Sequence, residues 1–277
     1  MNFSKAIIRY AIGKYKVKKV AIAFSGGLDS LACALLVLDN LPRDIRKYIV
    51  FNNTTNEIPE SLHYTRMMLQ WFEENYQNVK SIEVMAEKHF NEFIFEIFYV
   101  AAQMHINRKW KRNKFRCYYF LKEKPAKQFY RKINIKLFFT GLRAEESRQR
   151  KIFARETGGV FEKGKLIHVM PIIWWSRKDV IDFINNHPLN PPINPIYEMG
   201  FDGTGCMLCP IKFFFAKKSL FALKRHYPKA YQLGISLRNF FIRKLTKQSS
   251  LLTDDHPIVN LAKKWLERNI DGCEREK

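Results

Sequence analysis

The chain has 277 residues, 47% of them hydrophobic, and a formal charge of +22 at pH 7 from 48 Lys and Arg against 26 Asp and Glu. That length and apolar content bury a full core and exclude a disordered tail protein, while so basic a balance points to a polyanionic partner, nucleic acid ahead of an anionic membrane surface. The most apolar later segment, Phe90 to Ile106, carries Glu92 and Glu96 and is too short to span a bilayer, and the first residues lack the pattern of a signal peptide. A cytoplasmic protein without a membrane role is therefore expected, whose five cysteines bind metal, catalyse or pack rather than form disulfides.

In chain order, residues 1–19 read as a basic amphipathic helix ending near Gly13, followed by a lysine-rich lead into a strand at Val20–Phe24. Ser25-Gly26-Gly27-Leu28-Asp29-Ser30 joins that strand to a buried helix at Leu31–Leu38. A second strand is expected at Tyr48–Phe51, a helix from Pro59 to about Asn75 and a third strand at Ser81–Met85. An aromatic-rich helix from Phe90 to about Ile106 leads to the basic segment Arg108–Arg116, readable as a nucleic-acid contact or as a solvated linker. A helix around Pro125–Arg131 precedes a strand at Ile135–Gly141. Residues 155–165 read as a hairpin or mobile loop, His168–Ile173 as the last strand, and Arg177–Asn186 as a helix capped by Ser176. Alternation at this spacing predicts an α/β fold with a doubly wound, mostly parallel sheet and a helical C-terminal region. We expect an α/β domain over residues 1–200 with a helical insertion around 88–132. Residues 201–277 then hold a Cys-x-x-Cys segment and a basic tail.

Three clusters carry chemistry. Paired glycines and flanking hydroxyls at a helix N-terminus form an anion cradle, for which phosphate is the usual guest; the alternative is a tight capped turn. Asp29 at its mouth would repel phosphate unless it held Mg2+ between itself and the phosphate oxygens. The second cluster is Gly141-Leu142-Arg143-Ala144-Glu145-Glu146-Ser147-Arg148-Gln149-Arg150, where arginines at a strand end can grip phosphate or sulfate, with Glu146 fixing a guanidinium or substrate; solvated surface pairs are the alternative. The third is Cys206-Met207-Leu208-Cys209, which with Cys117 supplies three thiolates. These suit a [4Fe-4S] cluster with one open iron, or Zn2+ completed by His187 or His226, while a redox dithiol and simple packing stay open. Cys33 is expected in the core and Cys273 exposed in the polar tail.

The order of the hexapeptide, Phe51–Ser61, Gly141–Arg148, Met170–Trp175, Asn194-Pro195-Ile196-Tyr197 and Gly205-Cys206 resembles the PAPS reductase family. That family lies within the adenine nucleotide alpha-hydrolase (PP-loop) superfamily, and the likeness covers roughly residues 17–212. It implies a nucleotide held by Ser25, Gly26, Gly27, Asp29 and Ser30. It further implies adenosine near Asn53 and Thr54, and an acidic group held near Gly141, Arg143, Glu146 and Arg148. Three departures from the family matter, one being that the Glu-Cys-Gly-Leu-His-like tail of the reductases has at best a faint echo in Asp271-Gly272-Cys273-Glu274. The Cys-Cys pair of the iron-sulfur reductases is here Cys117-Tyr118, and the loop is intact with Asp29, unlike the degenerate loop of enzymes that do not cleave ATP.

The expected function is accordingly an ATP-using, pyrophosphate-releasing enzyme that adenylates a nucleic-acid acceptor, tRNA or DNA. Sulfur on the open iron or on a cysteine persulfide then displaces AMP. Asp29, Arg143 and Arg148 are the expected catalytic groups, and Cys117, Cys206 and Cys209 the metal ligands. The implied cofactors are ATP, Mg2+ and a [4Fe-4S] cluster, with Zn2+ the alternative. The implied partners are the acceptor and a sulfur donor or reductant, and an oligomer is possible. Two alternatives remain, a PAPS or APS reductase releasing sulfite and a non-catalytic nucleic-acid-binding protein on the same scaffold.

Overall fold

A computed structural model describes residues 2–108, 115–215 and 218–246, so Cys273 and most of the Arg108–Arg116 segment lie outside the described residues. The chain opens with α1 (Asn2–Tyr15), then β1 (Lys19–Ala23), α2 (Leu28–Asn40), β2 (Arg46–Asn53), α3 (Pro59–Asn75) and β3 (Val79–Met85). After an inserted helical segment come β4 (Leu137–Phe139) and two further strands, β5 (Val160–Lys163) and β6 (Leu166–Val169). Together they form one sheet in the order β3-β2-β1-β4-β6-β5, parallel throughout except for the β5–β6 hairpin. The doubly wound sheet is as expected.

Alternation along β1 explains why both faces are covered. Val20 and Ile22 face a core that includes Ile8 of α1, Leu31 and Leu35 of α2 and Phe72 of α3, while Ala21 faces a smaller core with Tyr130 and Ile135. α2 has no polar face: Leu28 and Ser30 to Leu38 are all buried, because the helix is packed between the sheet and its neighbours α1 and α8 (Arg177–Asn185). Parallel strands buried on both faces are expected to read as continuous apolar runs, and β1 and β2 do.

Of the expected boundaries that move, two have a clear cause. α1 passes Gly13 and runs to Tyr15, since Ile12 and Tyr15 pack on the main core and that burial outweighs the roughly 1 kcal/mol cost of a helical glycine. The strand expected at His168–Ile173 ends at Val169. Pro171 has no N–H for the ladder, and Ile173 N and Trp175 N donate to Met170 O and Ile172 O in successive turns instead. A helix, α7 (Arg148–Thr157), precedes the hairpin and is capped by Ser147, whose hydroxyl accepts from Arg150 N at 3.2 Å.

The inserted segment holds a 3-10 turn (Phe90–Phe93), α4 (Ile94–Ile106), α5 (Arg116–Tyr118), a π turn (Tyr119–Glu123) and α6 (Lys124–Lys132). Pro125 lacks the N–H that would reach Leu121 O, which accounts for the wide turn just after Cys117. α4 packs on the C-terminal helices α9 (Pro210–Phe215), α10 (Lys218–His226) and α11 (Pro228–Leu245) in one core with Phe98, Phe213, Leu237 and Phe241. Gly234 admits the Phe213 ring against the backbone of α11; an added Cβ would collide with it. No described helix is long and apolar enough to cross a membrane.

Candidate active site

The loop between β1 and α2 is held from several sides. Gly26 sits at φ +75°, a conformation glycine adopts without cost, and its carbonyl accepts from Asn194 Nδ2 at 3.0 Å. Asn194 Nδ2 also reaches Ser61 Oγ at 2.9 Å, and its Oδ1 accepts from Ile196 N at 3.2 Å. Ser30 Oγ donates to Gly27 O at 2.8 Å and accepts from Ser25 N at 3.2 Å, closing the turn on itself. Gly141, following β4, lies against the same turn: a Cβ there would stand 2.5 Å from Asp29 C and 2.9 Å from Ser30 N. Thus Ser25, Gly26, Gly27, Asp29, Ser30 and Gly141 are brought together.

Asp29 carries the charge of the site. Its Oδ1 lies 3.0 Å from Arg143 Nε and 3.3 Å from Arg177 Nη1. Arg143 is 5% exposed, and its Nε has no aligned hydrogen-bond acceptor among the described residues, so the contact with Asp29 is an ion pair. Glu145 bridges both arginines, with Oε2 2.6 Å from Arg143 Nη1 and 2.8 Å from Arg177 N. Of the arginines expected to grip an anion here, Arg143 reaches the loop and Arg148 stands apart from it. Glu146 pairs with Arg150 and accepts from its own cap at Arg143 N, and Arg148 is exposed at the start of α7 with no ion pair to the loop. The 3-10 turn at Ala144–Glu146 causes this, turning Arg148 outward while Arg143 stays at the strand end.

Arg177 and Tyr197 were not singled out from the sequence. The guanidinium lies 5.7 Å from the centroid of the Tyr197 ring, and Tyr197 OH accepts from Leu28 N at 3.1 Å. Thr204 Oγ1 is 3.1 Å from where a Gly27 Cβ would be. Tyr197 lay within a motif visible in the sequence; nothing in the spacing announced that it would roof the loop.

On the far side of β2, Asn53 and Thr54 are buried but engaged. Asn53 Nδ2 donates to Glu83 Oε1 at 2.7 Å and Thr54 Oγ1 to Glu57 Oε1 at 2.7 Å. The neighbouring Asn52 Oδ1 and Asn56 Nδ2 are buried without a hydrogen-bond partner among the described residues, the kind of atom a ligand satisfies.

Thr54 also links to the cysteines, its Oγ1 lying 3.3 Å from Cys206 Sγ. Burial pushes the Cys117 thiol up to about 12, with Cys206 and Cys209 adding to the effect. Burial likewise raises Cys206 to about 11; Glu57 adds to this and Lys122 opposes it. Burial works against the Lys122 ammonium, but Cys206, Glu57 and Cys209 outweigh it and hold its pKa above the ordinary lysine value. Lys212 Nζ is buried without a hydrogen-bond partner among the described residues, 5.7 Å from the Phe201 ring centroid. The three thiols are thus electrostatic neighbours beside two ammonium groups, a setting whose donor chemistry fits a thiolate-held group. Among the described residues no three His, Cys, Asp or Glu side chains, Cys117, Cys206 and Cys209 included, are grouped to hold a metal ion. His187 is no fourth ligand, since its Nε2 pairs with Asp39 Oδ2 at 3.1 Å, and His226 lies against Phe201. Cys33 is fully buried in the main core, as expected.

These thiol environments make a direct prediction. Raising Cys206 from its ordinary 9 to about 11 lowers its thiolate fraction at pH 8 about a hundredfold, so in metal-free protein it reacts with iodoacetamide at least tenfold more slowly than after unfolding. Glu57→Gln removes a charge that opposes ionisation and is expected to speed that reaction several-fold. Mass spectrometry of the alkylated peptide reads both, and a rate unchanged by unfolding contradicts the environment described.

The phosphoadenosine phosphosulfate reductase domain profile matches residues 19–212. The chain belongs to that family. Within the PAPS reductase family, the uncharacterized protein MJ0066 of Methanocaldococcus jannaschii is 30% identical over 236 residues, covering 83% of this chain and 44% of that protein. The adenosine 5'-phosphosulfate reductase of Lysinibacillus sphaericus is 32% identical over 102 residues, 36% of this chain and 40% of that enzyme. Among solved structures, the U34-tRNA thiolase NcsA from Methanococcus maripaludis, solved with its [4Fe-4S] cluster, aligns with a TM-score of 0.45 at 15% identity. The alignment covers 92% of this chain and 82% of that one. The chain spans about half the length, or less, of the curated relatives it matches. The family match begins at β1 and ends in α9, so it contains the loop, Arg143 and the Cys206–Cys209 segment.

Proposed function

We propose that this PAPS reductase family chain binds Mg·ATP in the loop, cleaves it between the α and β phosphates, and uses the activated acceptor for sulfur transfer to a nucleic acid. The observation that carries the reading is Asp29. An acid at the mouth of a phosphate cradle, balanced by Arg143 and Arg177, suits a site that binds a metal ion and polyphosphate together. An acceptor oxygen bonds to the α-phosphorus as the α–β anhydride breaks and pyrophosphate leaves. A hydrosulfide-level nucleophile then forms the carbon–sulfur bond as AMP departs with the original oxygen. In this reading Ser25, Gly26, Gly27 and Ser30 hold pyrophosphate and Asp29 holds Mg2+. Arg143 neutralises charge in the transition state, and Asn53 and Thr54 shape the adenosine side. Arg148 is assigned to incoming acceptor phosphate, as it is exposed rather than in the cradle. Cys117, Cys206 and Cys209 would hold an iron-sulfur group, which would supply a position for binding sulfur, or zinc, which would act as a structural staple. The charge of +22 supports a polyanionic acceptor.

The test is release of labelled pyrophosphate from ATP by purified protein with Mg2+ and tRNA or DNA. Turnover that depends on the nucleic acid is expected. Salt-sensitive nucleic-acid binding that persists in Asp29→Ala, with no turnover in wild type, replaces the enzyme with a binding protein. The second reading, reduction of a sulfonucleotide, is favoured by the 32% identity to an APS reductase and opposed by Asp29 and the single Cys117. Sulfite release from APS or PAPS with a thiol donor would establish it.

A further inference from the structure

The cradle is occupied by the protein's own groups. Leu28 N–H, the first amide of α2 and a donor the phosphate needs, is taken by Tyr197 OH at 3.1 Å, and Asp29 is paired with Arg177 at 3.3 Å. Both residues come from the same stretch of chain, between the Ser176 cap of α8 and the cysteine segment. They are coupled to each other, the guanidinium lying over the phenol ring 5.7 Å from its centroid. Arg177 is held at its backbone by Glu145, while its side chain, which carries the guanidinium to Asp29, is 39% exposed.

An oxygen that accepts from Leu28 N keeps its own proton to donate. Tyr197 can therefore pass a hydrogen bond from the loop amide to a phosphate oxygen. A metal ion at Asp29 would displace Arg177 by charge repulsion, leaving the guanidinium beside the most negative part of the ligand. The group these two residues fit is the terminal phosphate of a chain of three: it carries the greatest charge, lies farthest from the nucleoside and suits a planar two-pronged donor. Arg143 is not interchangeable with Arg177, because it is buried beneath Asp29.

We propose that Arg177 and Tyr197 are specificity-determining residues that read the γ-phosphate, so that this site selects a nucleoside triphosphate over nucleotides with one or two phosphates. The inference rests on the ATP reading above and extends it to how the substrate is chosen. It assigns a role to two side chains outside the loop.

The test measures binding of ATP, ADP and AMP, each with Mg2+, by titration calorimetry to wild type, Arg177→Ala, Arg177→Lys and Tyr197→Phe. Wild type is expected to prefer ATP over ADP. Arg177→Ala should weaken ATP about 30-fold, as for loss of a charged hydrogen bond, while ADP and AMP change less than threefold; the preference then collapses. Arg177→Lys should recover part of it as a point charge, and Tyr197→Phe, which keeps the ring, should lose about fivefold for ATP alone. A merely structural role predicts equal loss for all three nucleotides, and that result overturns the proposal while leaving the ATP reading intact. Wild type that binds ADP as tightly as ATP also overturns it. Absence of all nucleotide binding by wild type removes the ATP reading itself, and the proposal with it. Tyr197→Phe keeps the test decisive if Arg177→Ala does not fold.

Discussion

Gly141→Ala is expected to cost about 3 kcal/mol of stability and to abolish nucleotide binding in whatever protein remains folded. The added methyl has nowhere to go. Its nearest neighbours are backbone atoms of Asp29 and Ser30, which cannot rotate away as a side chain tip would. Relief requires β4 and the start of α2 to separate, which strains the β1–β4 pairing at Ile22 and Phe139 and opens the cradle together. Urea unfolding reads the first effect and ATP titration the second. A Gly141→Ala protein within 1 kcal/mol of wild type would mean that the close approach of strand end and loop is not maintained in solution. Gly26→Ala makes an instructive contrast: it too is strained, by its positive φ, but the nearest atom is the hydroxyl of Thr65.

The second large effect is on the reaction alone. Asp29→Asn keeps the side chain's size and much of its polarity, and it is expected to slow pyrophosphate release about a thousandfold while changing stability by roughly 1 kcal/mol. The stability change is small because Arg143 retains Glu145 at 2.6 Å and so is not left buried without a counter-charge. The rate change is large because an amide is a poor ligand for Mg2+, so the phosphates lose the ion that neutralises their charge. Steady-state rates at saturating ATP, with thermal unfolding alongside, separate the two. Asp29→Asn activity within tenfold of wild type would assign the metal to another group.

The fold could be read because its signals are local. β1, the glycine loop and α2 announce themselves as a β-branched run, a Gly-Gly turn and an Ala/Leu helix, and each is also the tertiary answer. Places where the reading slipped are those where a distant contact decides. Gly13 does not stop α1, because Ile12 and Tyr15 have a core to enter. Arg148 shares a short motif with Arg143, but the 3-10 turn at Ala144–Glu146 leaves it exposed, while Glu146 holds the guanidinium of Arg150. Among the site residues, those inside sequence-contiguous motifs were legible: Ser25 to Ser30, Gly141 and Arg143. Arg177 and Tyr197 approach the loop from 148 and 169 residues away, and no spacing rule connects them. The lysines beside the cysteines are equally silent in sequence, since a basic chain offers many lysines and only the fold sets Lys122 and Lys212 beside Cys206 and Cys209.

One side chain has a consequence for how tightly any ligand can be held. Asn194 fixes the carbonyl of Gly26, the hydroxyl of Ser61 and the amide of Ile196 at once, and it is 1% exposed. With that peptide plane locked, the loop acquires its binding shape when the chain folds, and no ordering entropy remains to be lost when a guest arrives. Affinity at such a loop is set by displacement of water and of the protein's own stand-ins rather than by conformational search. The heat-capacity change of binding should therefore be small, the signature of a rigid cradle rather than of one that folds around its guest.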